Sequence, residues 1–176
     1  MRSKPAIEAV SKPRFERLDP QRHDRKSFQC SETALEKYLK EQARKDQDSG
    51  ACSVFVLTND KASIIGYYTL TASSVLLTNL TPAISKRLPR YPSVPVTLLG
   101  RLAVHQAHAG QGHGSALLID ALRRASIVST EVGSTAVIVD ALHEHAARFY
   151  LKFGFEALPD QPLCLLLPMA SIQTLI

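Results

Sequence analysis

The stretch LLGRLAVHQAHAGQGHGSALLIDAL (residues 98–122) decides the fold class of this 176-residue chain. It opens with an apolar run, ending at Val104, that is typical of a strand, and it closes with Leu and Ala at helical spacing. Between the two, glycines alternate from Gly110 to Gly114. They let the backbone turn tightly and let a ligand approach the amides without meeting a Cβ atom. Because the amides that open a helix have no intrahelical partner, this junction predicts a phosphate-binding loop.

A glycine-rich loop is by itself a weak signal, since the same residues also suit a simple flexible turn between a strand and a helix. The loop lacks the Gly-Lys-Ser/Thr ending of a P-loop. It also lacks the later acidic residue of a Rossmann unit. Nucleotide sites of those two types are therefore not predicted.

The remaining elements are predicted from apolar periodicity and turn residues. Thr33–Arg44 has helical spacing, with Thr33 and Glu36 as a candidate capping box and Ser31 as a rival cap. Prolines at 89, 92 and 95 predict a rigid extended loop. Strands are predicted over 14–18, 52–58, 64–77, 96–104, 136–140 and, as one or two strands, 155–168, with further helices over 82–88, 115–129 and 143–152. This order predicts a mixed α/β or α+β fold built on a central sheet.

Length and composition predict one soluble domain over residues 1–176, of which 1–13 form a loose N-terminal arm. No apolar run is long enough to span a bilayer, and the first 25 residues lack the apolar core of a secretory signal. Three scattered cysteines (Cys30, Cys52 and Cys164) argue against a disulfide framework. The expected location is the cytoplasm.

The histidines raise the question of a metal site. His-x-His spacing can bind a metal, but no Cys, Asp or Glu completes a ligand set at suitable intervals, so no metal is predicted. Five of the histidines are interpreted as surface or loop residues, with His113 near the phosphate site: His105, His108, His113, His143 and His145.

The net charge of +5 is concentrated in two segments. Residues 1–45 and residues 86–124 each carry +5, whereas residues 46–85 carry −2 and residues 125–176 carry −3. If the fold places both basic segments on one face, that face attracts a polyanion through phosphate contacts and counterion release. The alternative is that Lys and Arg only solvate helix surfaces.

Two correctly spaced motifs identify a family resemblance. Ala109-Gly110-Gln111-Gly112-His113-Gly114 aligns with the signature Arg/Gln-x-x-Gly-x-Gly/Ala, and Phe149-Tyr150-x-x-x-Gly154-Phe155 matches a second hallmark. From about Phe15 to Pro168, the chain resembles the GCN5-related N-acetyltransferase (GNAT) superfamily. The resemblance implies a mostly antiparallel sheet, splayed between the acetyl-CoA strand and the next strand and flanked by about four helices.

Softer matches, in order along the chain, resemble a narrower branch, the aminoacyl-tRNA-acetylating toxins of type II toxin–antitoxin systems. They are the segments Phe28–Cys30, Leu35–Leu39, Gln42–Ala43, Gly66–Leu70, Pro95–Val96 and Leu99–Val104. This branch implies transfer of an acetyl group from acetyl-CoA to the α-amine of an aminoacyl-tRNA, which blocks translation.

The resemblance also assigns candidate site residues for acetyl-CoA as co-substrate. The pantetheine is expected along Leu102, Ala103 and Val104, with an amide near Val104 facing the thioester oxygen. Tyr150 is the candidate general acid for the CoA thiolate, with a buried core tyrosine as the alternative, and no side-chain base is predicted. The pyrophosphate is expected on Ala109, Gly110, Gln111, Gly112, His113, Gly114 and Ser115. Ala109 stands where the family usually has Arg or Gln, which predicts weaker cofactor binding.

The basic segments become a candidate tRNA-binding surface under the same resemblance, consisting of Lys37, Lys40, Arg44, Lys45, Lys86, Arg87, Arg90 and Arg101. The branch further implies a ribbon-helix-helix antitoxin, operator DNA bound through the complex, and a homodimer.

Two alternative functions stay open. One is the same chemistry on a small amine or a protein amine; the other is a catalytically weak corepressor, which Ala109 motivates.

Overall fold

The computed structural model describes residues 12–59 and 62–176, so the predicted N-terminal arm lies almost entirely outside the described residues. Within these ranges, seven strands form one sheet in the order β1-β2-β3-β4-β5-β7-β6. Neighbouring strands are antiparallel except β4 and β5, which are parallel. The strands are β1 (Arg14–Arg17), β2 (Ser53–Thr58), β3 (Ile64–Leu76), β4 (Ser93–Val104), β5 (Ala136–Asp140), β6 (Glu156–Leu158) and β7 (Gln161–Pro168). The predicted mixed, mostly antiparallel sheet is confirmed.

In the same described ranges, six α-helical segments flank this sheet, where about four helices were expected. The predicted helix over 33–44 is interrupted at Gln42, and the last segment is a single unpredicted turn after β7. The segments are α1 (Thr33–Glu41), α2 (Ala43–Asp48), α3 (Pro82–Ser85), α4 (His113–Ser129), α5 (Glu144–Leu151) and α6 (Met169–Ile172).

The predicted capping box at the start of α1 is wrong. The N-cap residue is Glu32, and no side chain caps the helix there. Glu36 is engaged elsewhere, because its carboxylate accepts a hydrogen bond from the Cys30 amide at 3.2 Å and pairs with Lys40 at 2.6 Å. By contrast, the predicted cap of α3 is confirmed: the Thr81 hydroxyl accepts from the Ile84 amide.

The strand β4 begins earlier than predicted and includes Pro95, which lies opposite Ser74 of β3. A proline contributes no amide donor to a strand. Its carbonyl, however, accepts hydrogen bonds from both the amide and the hydroxyl of Thr135. The carbonyl of Pro95, and with it the ring nitrogen, therefore faces away from β3, so that no hydrogen bond between β3 and β4 is lost. Pro95 belongs to the strand, not to the extended loop that the three prolines suggested.

Alternation along β3 places the helices on two faces of the sheet. Tyr68 packs in the core that contains α4 residues such as Leu117 and Leu122, on what we call the α4 face. Tyr67 points the opposite way and packs against α1, and Val75, eight residues on, packs against α3. We call this second side the α1 face; it carries α1 and α3, whereas α5 contributes to the core of the α4 face.

Candidate active site

The site forms where β4 and β5 diverge. The two strands pair only from Thr97–Val137 to Leu99–Val139. Beyond Leu99, β4 continues to Val104 while remaining paired with β3, whereas β5 ends at Asp140. The divergence opens a cleft of about 1250 Å³, lined by α1, the end of β4, the glycine loop and the start of α5.

The free edge of β4 presents backbone hydrogen-bonding groups to this cleft. The His105 amide donates to the Ile65 carbonyl on the β3 side at 2.7 Å. Because backbone groups alternate in direction along a strand, the N–H groups of Leu102 and Val104 point away from β3 and toward the cleft. Both residues and Ala103 line it. An extended ligand chain can therefore add to this edge as a further strand.

The glycine loop brings the start of α4 to the same cleft. Gly110 (φ 73°) and Gly112 (φ 82°) adopt left-handed backbone conformations, and a Cβ atom on either would project into open space. Gly112 is the N-cap of α4, and no side chain caps this end of the 17-residue helix. Its first amides are thus available to an anion, reinforced by the helix dipole.

Most of the residues predicted to hold the pyrophosphate line the cleft: Ala109, Gly110, Gly112, His113, Gly114 and Ser115. Gln111 is not part of the lining, since its side-chain amide turns back to the Ala107 carbonyl at 3.4 Å. His108, which sequence reasoning did not select, does line the cleft, and its ring lies 5.9 Å from that of His113. In the described part of the chain, no three His, Cys, Asp or Glu side chains group to hold a metal ion.

Tyr150 reaches the cleft from α5 and is only 8% exposed. Its ring packs against those of Phe149 and Phe155, with centroids 5.1 and 5.6 Å away. Within residues 12–59 and 62–176, no group forms a hydrogen bond with its hydroxyl. Burial raises the pKa of Tyr150 to about 12, so the hydroxyl stays protonated near neutral pH. The tyrosine is both a core residue and a proton donor available to a ligand.

The opposite wall of the cleft is built on α1 and carries positive charge over an aromatic ring. The guanidinium carbon of Arg101 lies 3.6 Å from the centre of the Tyr38 ring, a cation–π contact. The Tyr38 hydroxyl donates to the Asp46 carboxylate at 2.9 Å, which fixes the ring. Lys37 is exposed on α1 and also lines the cleft.

One contact joins the two walls. His143, the N-cap of α5, accepts a hydrogen bond from the Ala146 amide through Nδ1 at 3.2 Å, so its Nε2 carries the proton. That Nε2 lies 2.9 Å from the carboxylate of Glu32, the N-cap of α1. The interpretation of His143 as an ordinary surface residue is therefore incomplete, because its ring links α5 to α1 across the cleft.

The predicted tRNA-binding residues fall into two groups on the α1 face. Only Lys37 and Arg101 line the cleft, while Lys40, Arg44 and Arg87 pair with Glu36, Asp48 and Glu156. Lys45 is exposed on α2. Lys86, Arg87 and Arg90 surround α3 and the approach to β4, at the far end of that strand from Val104. Tyr67, which packs against α1, and Val75, which packs against α3, are eight positions apart on β3, or about 26 Å along the strand, so the two groups share a face without forming one cluster.

Sequence reasoning missed Asp140, Glu32 and His143 as cleft residues. For Asp140 a signal existed, since it is the single charged residue that ends the apolar run AVIVD (136–140). Nothing in the local pattern indicated that Glu32 and His143, far apart in the chain, would meet.

The family model described as an acetyltransferase (GNAT) domain matches residues 49–157, which include the β4–β5 divergence and the glycine loop. The chain belongs to the GNAT acetyltransferase family. The resemblance inferred from the two motifs is confirmed, and with it the fold, an acyltransferase activity and acetyl-CoA as the donor.

The chain is also similar to one toxin of known name and to two solved toxin structures. The tRNA-acetylating toxin of Mycobacterium tuberculosis is 37% identical over 150 residues, which cover 85% of this chain and 89% of that protein. A structure of AtaT complexed with acetyl-methionyl-tRNAfMet has a TM-score of 0.85 at 29% identity, covering 93% of this chain and 99% of that one. A mutant AtaT bound to the C-terminus of the antitoxin AtaR and acetyl-CoA has a TM-score of 0.80 at 27% identity, covering 94% of this chain and 99% of that one.

Among the described residues, no helix is long and apolar enough to cross a membrane.

Proposed function

We propose that this chain is a toxin that transfers the acetyl group of acetyl-CoA to the α-amine of an aminoacyl-tRNA and thereby blocks translation. The observation that carries the proposal is the divergence of β4 and β5 after Leu99–Val139, which leaves a strand edge, a helix N-terminus and Tyr150 around one cleft. The similarity to a tRNA-acetylating toxin over 85% of the chain supports the choice of acceptor.

On the donor side, the pantetheine would add to the edge of β4, with the Val104 amide donating to the thioester oxygen as negative charge develops there. The amides that open α4 would hold the pyrophosphate. Tyr150 would supply a proton to the CoA sulfur as the thiolate departs. Its high pKa suits this step, because the donor must be protonated at the start of the reaction.

On the acceptor side, the single-stranded end of a charged tRNA would enter over the α1 face. Unpaired bases stack on aromatic rings and guanidinium planes. The Arg101–Tyr38 pair offers such a surface at the cleft, and Lys37 adds a charge beside it. The more distant group of Lys86, Arg87 and Arg90 would contact phosphates of the stem.

The proposal extends to the partners. The toxin would be neutralised by a cognate ribbon-helix-helix antitoxin, would reach operator DNA through that complex, and would act as a homodimer in the cytoplasm from a single 1–176 domain. The similarity to a mutant AtaT bound to the C-terminus of the antitoxin AtaR supports an antitoxin as partner. Co-expression with the neighbouring open reading frame, followed by native mass spectrometry, would measure the composition of the complex.

A translation system reconstituted from purified components tests the function. We expect the protein to stop synthesis of a reporter when acetyl-CoA is added and to leave synthesis unchanged without it. The Tyr150→Phe variant should inhibit far less at equal concentration. Full reporter synthesis in the presence of both protein and acetyl-CoA would contradict the proposal and direct attention to small or protein amines as acceptors.

A further inference from the structure

Asp140 occupies the point where the two strands separate. Leu99 and Val139 are the last residues paired between β4 and β5, and Gly100 and Asp140 are the next residues on each strand. Asp140 therefore lies beside the start of the part of β4 that is not paired with β5. It lines the same cleft as Tyr150 and Val104.

The carboxylate of Asp140 and the hydroxyl of Tyr150 reach the cleft from opposite faces of the sheet. Val137 and Val139 pack on the α4 face, together with Tyr150. Ile138 packs on the α1 face, so alternation places the Asp140 side chain there as well. Its cross-strand neighbour Cys164 packs against the core on that face, which agrees with this direction. With the donor's phosphates assigned to the start of α4, as proposed above, the α1 face is the acceptor side, and Asp140 lies on it.

A second cavity reaches Asp140 without passing the donor site. It has a volume of about 320 Å³ and is lined by Asp140, Ala141 and residues 161–164 of β7. Asp140 and Ala141 line both cavities. An amine bound there has room for the group attached to it on the side away from acetyl-CoA.

The Asp140 side chain is exposed and has capacity for a ligand. Cys164 is the cross-strand partner of Asp140, and burial, followed by the interaction of its thiol with the Asp140 carboxylate, raises the pKa of the thiol to about 12. The thiol therefore stays protonated and serves as a donor. A carboxylate has two oxygens and about four acceptor positions, so it can accept further hydrogen bonds from an amine.

We propose that Asp140 is the catalytic base of the acceptor side: it accepts a hydrogen bond from the attacking amine and takes its proton. The inference rests on the proposed function for the identity of that amine. The amine nitrogen attacks the thioester carbonyl carbon and forms the C–N bond, and the excess proton on nitrogen passes to the Asp140 carboxylate. The C–S bond then breaks, and the CoA sulfur takes the proton of the Tyr150 hydroxyl. Exchange with solvent returns a proton to Tyr150 and removes one from Asp140.

Steady-state kinetics on Asp140 variants test this role. Asp140→Asn keeps the size of the side chain and an oxygen that can accept from Cys164, but it cannot take a proton. We expect its kcat on charged tRNA to fall about 100-fold, while the Kd for acetyl-CoA stays within about twofold of wild type. Asp140→Ala should regain part of the lost rate when formate is added, because a free carboxylate can replace the missing base.

Asp160→Asn is the matched control. It removes the same charge from an exposed position between β6 and β7, at a φ of 58° that asparagine readily adopts. Its kcat should equal that of wild type and should not respond to formate. If Asp140→Asn unfolds, Asp140→Glu retains a carboxylate and should keep kcat within about tenfold of wild type.

A folded Asp140→Asn variant with kcat within threefold of wild type would overturn the inference while leaving the function intact. A wild type that acetylates no charged tRNA would overturn the function instead. The comparison would then be repeated on spermidine and lysyl peptides, where the same loss is expected because the proton leaves any attacking amine. A wild type that acetylates none of these acceptors would overturn both.

Discussion

Leu99 and Val139 form the last pair between β4 and β5, and the candidate chemistry is organised around the point where that pairing stops. The edge of β4, the glycine loop and Tyr150 are the proposed donor side of this point, and Asp140 is proposed for the acceptor side. Because the two proposed sides use different residues, each can be tested by its own substitutions.

Tyr150→Phe should lower kcat about 10²- to 10⁴-fold by removing the proton donor for the CoA sulfur. The hydroxyl has no hydrogen-bond partner among the described residues, so the free energy of unfolding should change by no more than about 1 kcal/mol. Chemical denaturation and thiol-release kinetics measure the two quantities. A large loss in the free energy of unfolding that accounts for the loss of activity would instead identify Tyr150 as a core residue only.

The rate of acetyl transfer should not fall near neutral pH through deprotonation of the Tyr150 hydroxyl. A pKa raised to about 12 means that Tyr150 is protonated below that value and loses its proton only as the pH rises through it. Single-turnover rates measured from pH 6 to 9 should therefore not decline toward the alkaline end. A rate that falls with a midpoint inside this range would show that another group donates the proton.

Gly112→Ala should weaken acetyl-CoA binding. Its φ of 82° strains any residue with a Cβ, at a cost of about 1–2 kcal/mol, and the strain would move the amides that open α4. Gly50→Ala is the control, since Gly50 has a φ of 75°, equally open surroundings and no place in the cleft. Calorimetry should show similar destabilisation in both variants but weaker acetyl-CoA binding only in Gly112→Ala.

Ala109→Arg should restore one of the two polar side chains, Arg or Gln, that the resembled signature has at this position and tighten acetyl-CoA binding about two- to fivefold. Ala107→Arg adds the same charge nearby, at an exposed residue that does not line the cleft. Titration of both variants separates a local contact with phosphate from a general increase in charge. Equal tightening in the two would attribute the effect to net charge.

The salt dependence of activity should report on the α1 face. Replacing Lys37, Lys86 and Arg90 by Gln should lower the slope of log kcat/KM against log salt by up to about 0.7–0.9 for each cation that binds a phosphate in the wild type. Arg123→Gln is the control, because Arg123 is exposed on α4 on the opposite face. An unchanged slope in the triple variant would assign these cations to solvation alone.

The sequence predicted the glycine loop, α4 and β5 well because each is governed by a local pattern. Features that depend on contacts beyond the local pattern were harder to predict. Gln42 interrupts a helix that periodicity alone would continue, and Glu36 does not cap α1 because its carboxylate binds Lys40 and the Cys30 amide. Pro95 lies in a strand with its carbonyl bonded to Thr135, a contact that the local pattern of prolines does not indicate.

The sequence resemblance supplied candidate residues for the donor and candidate cations for the acceptor, but it did not point to Asp140. The candidate donor residues fall in two contiguous stretches, 98–122 and 149–155, whereas Asp140 gains its position from the register of β4, β5 and β7 together. The two basic segments of the sequence raised the possibility that their residues share one face. The separation of about 26 Å along β3 between the two groups depends on the topology of the sheet.

The most direct test of the account is mass spectrometry of a complete set of aminoacyl-tRNAs after incubation with the protein and acetyl-CoA. The terminal aminoacyl-adenosine of at least one tRNA should gain one acetyl group on its α-amine, and Tyr150→Phe should largely abolish the gain. Unmodified α-amines on every aminoacyl-tRNA, from a folded protein that binds acetyl-CoA, would contradict it.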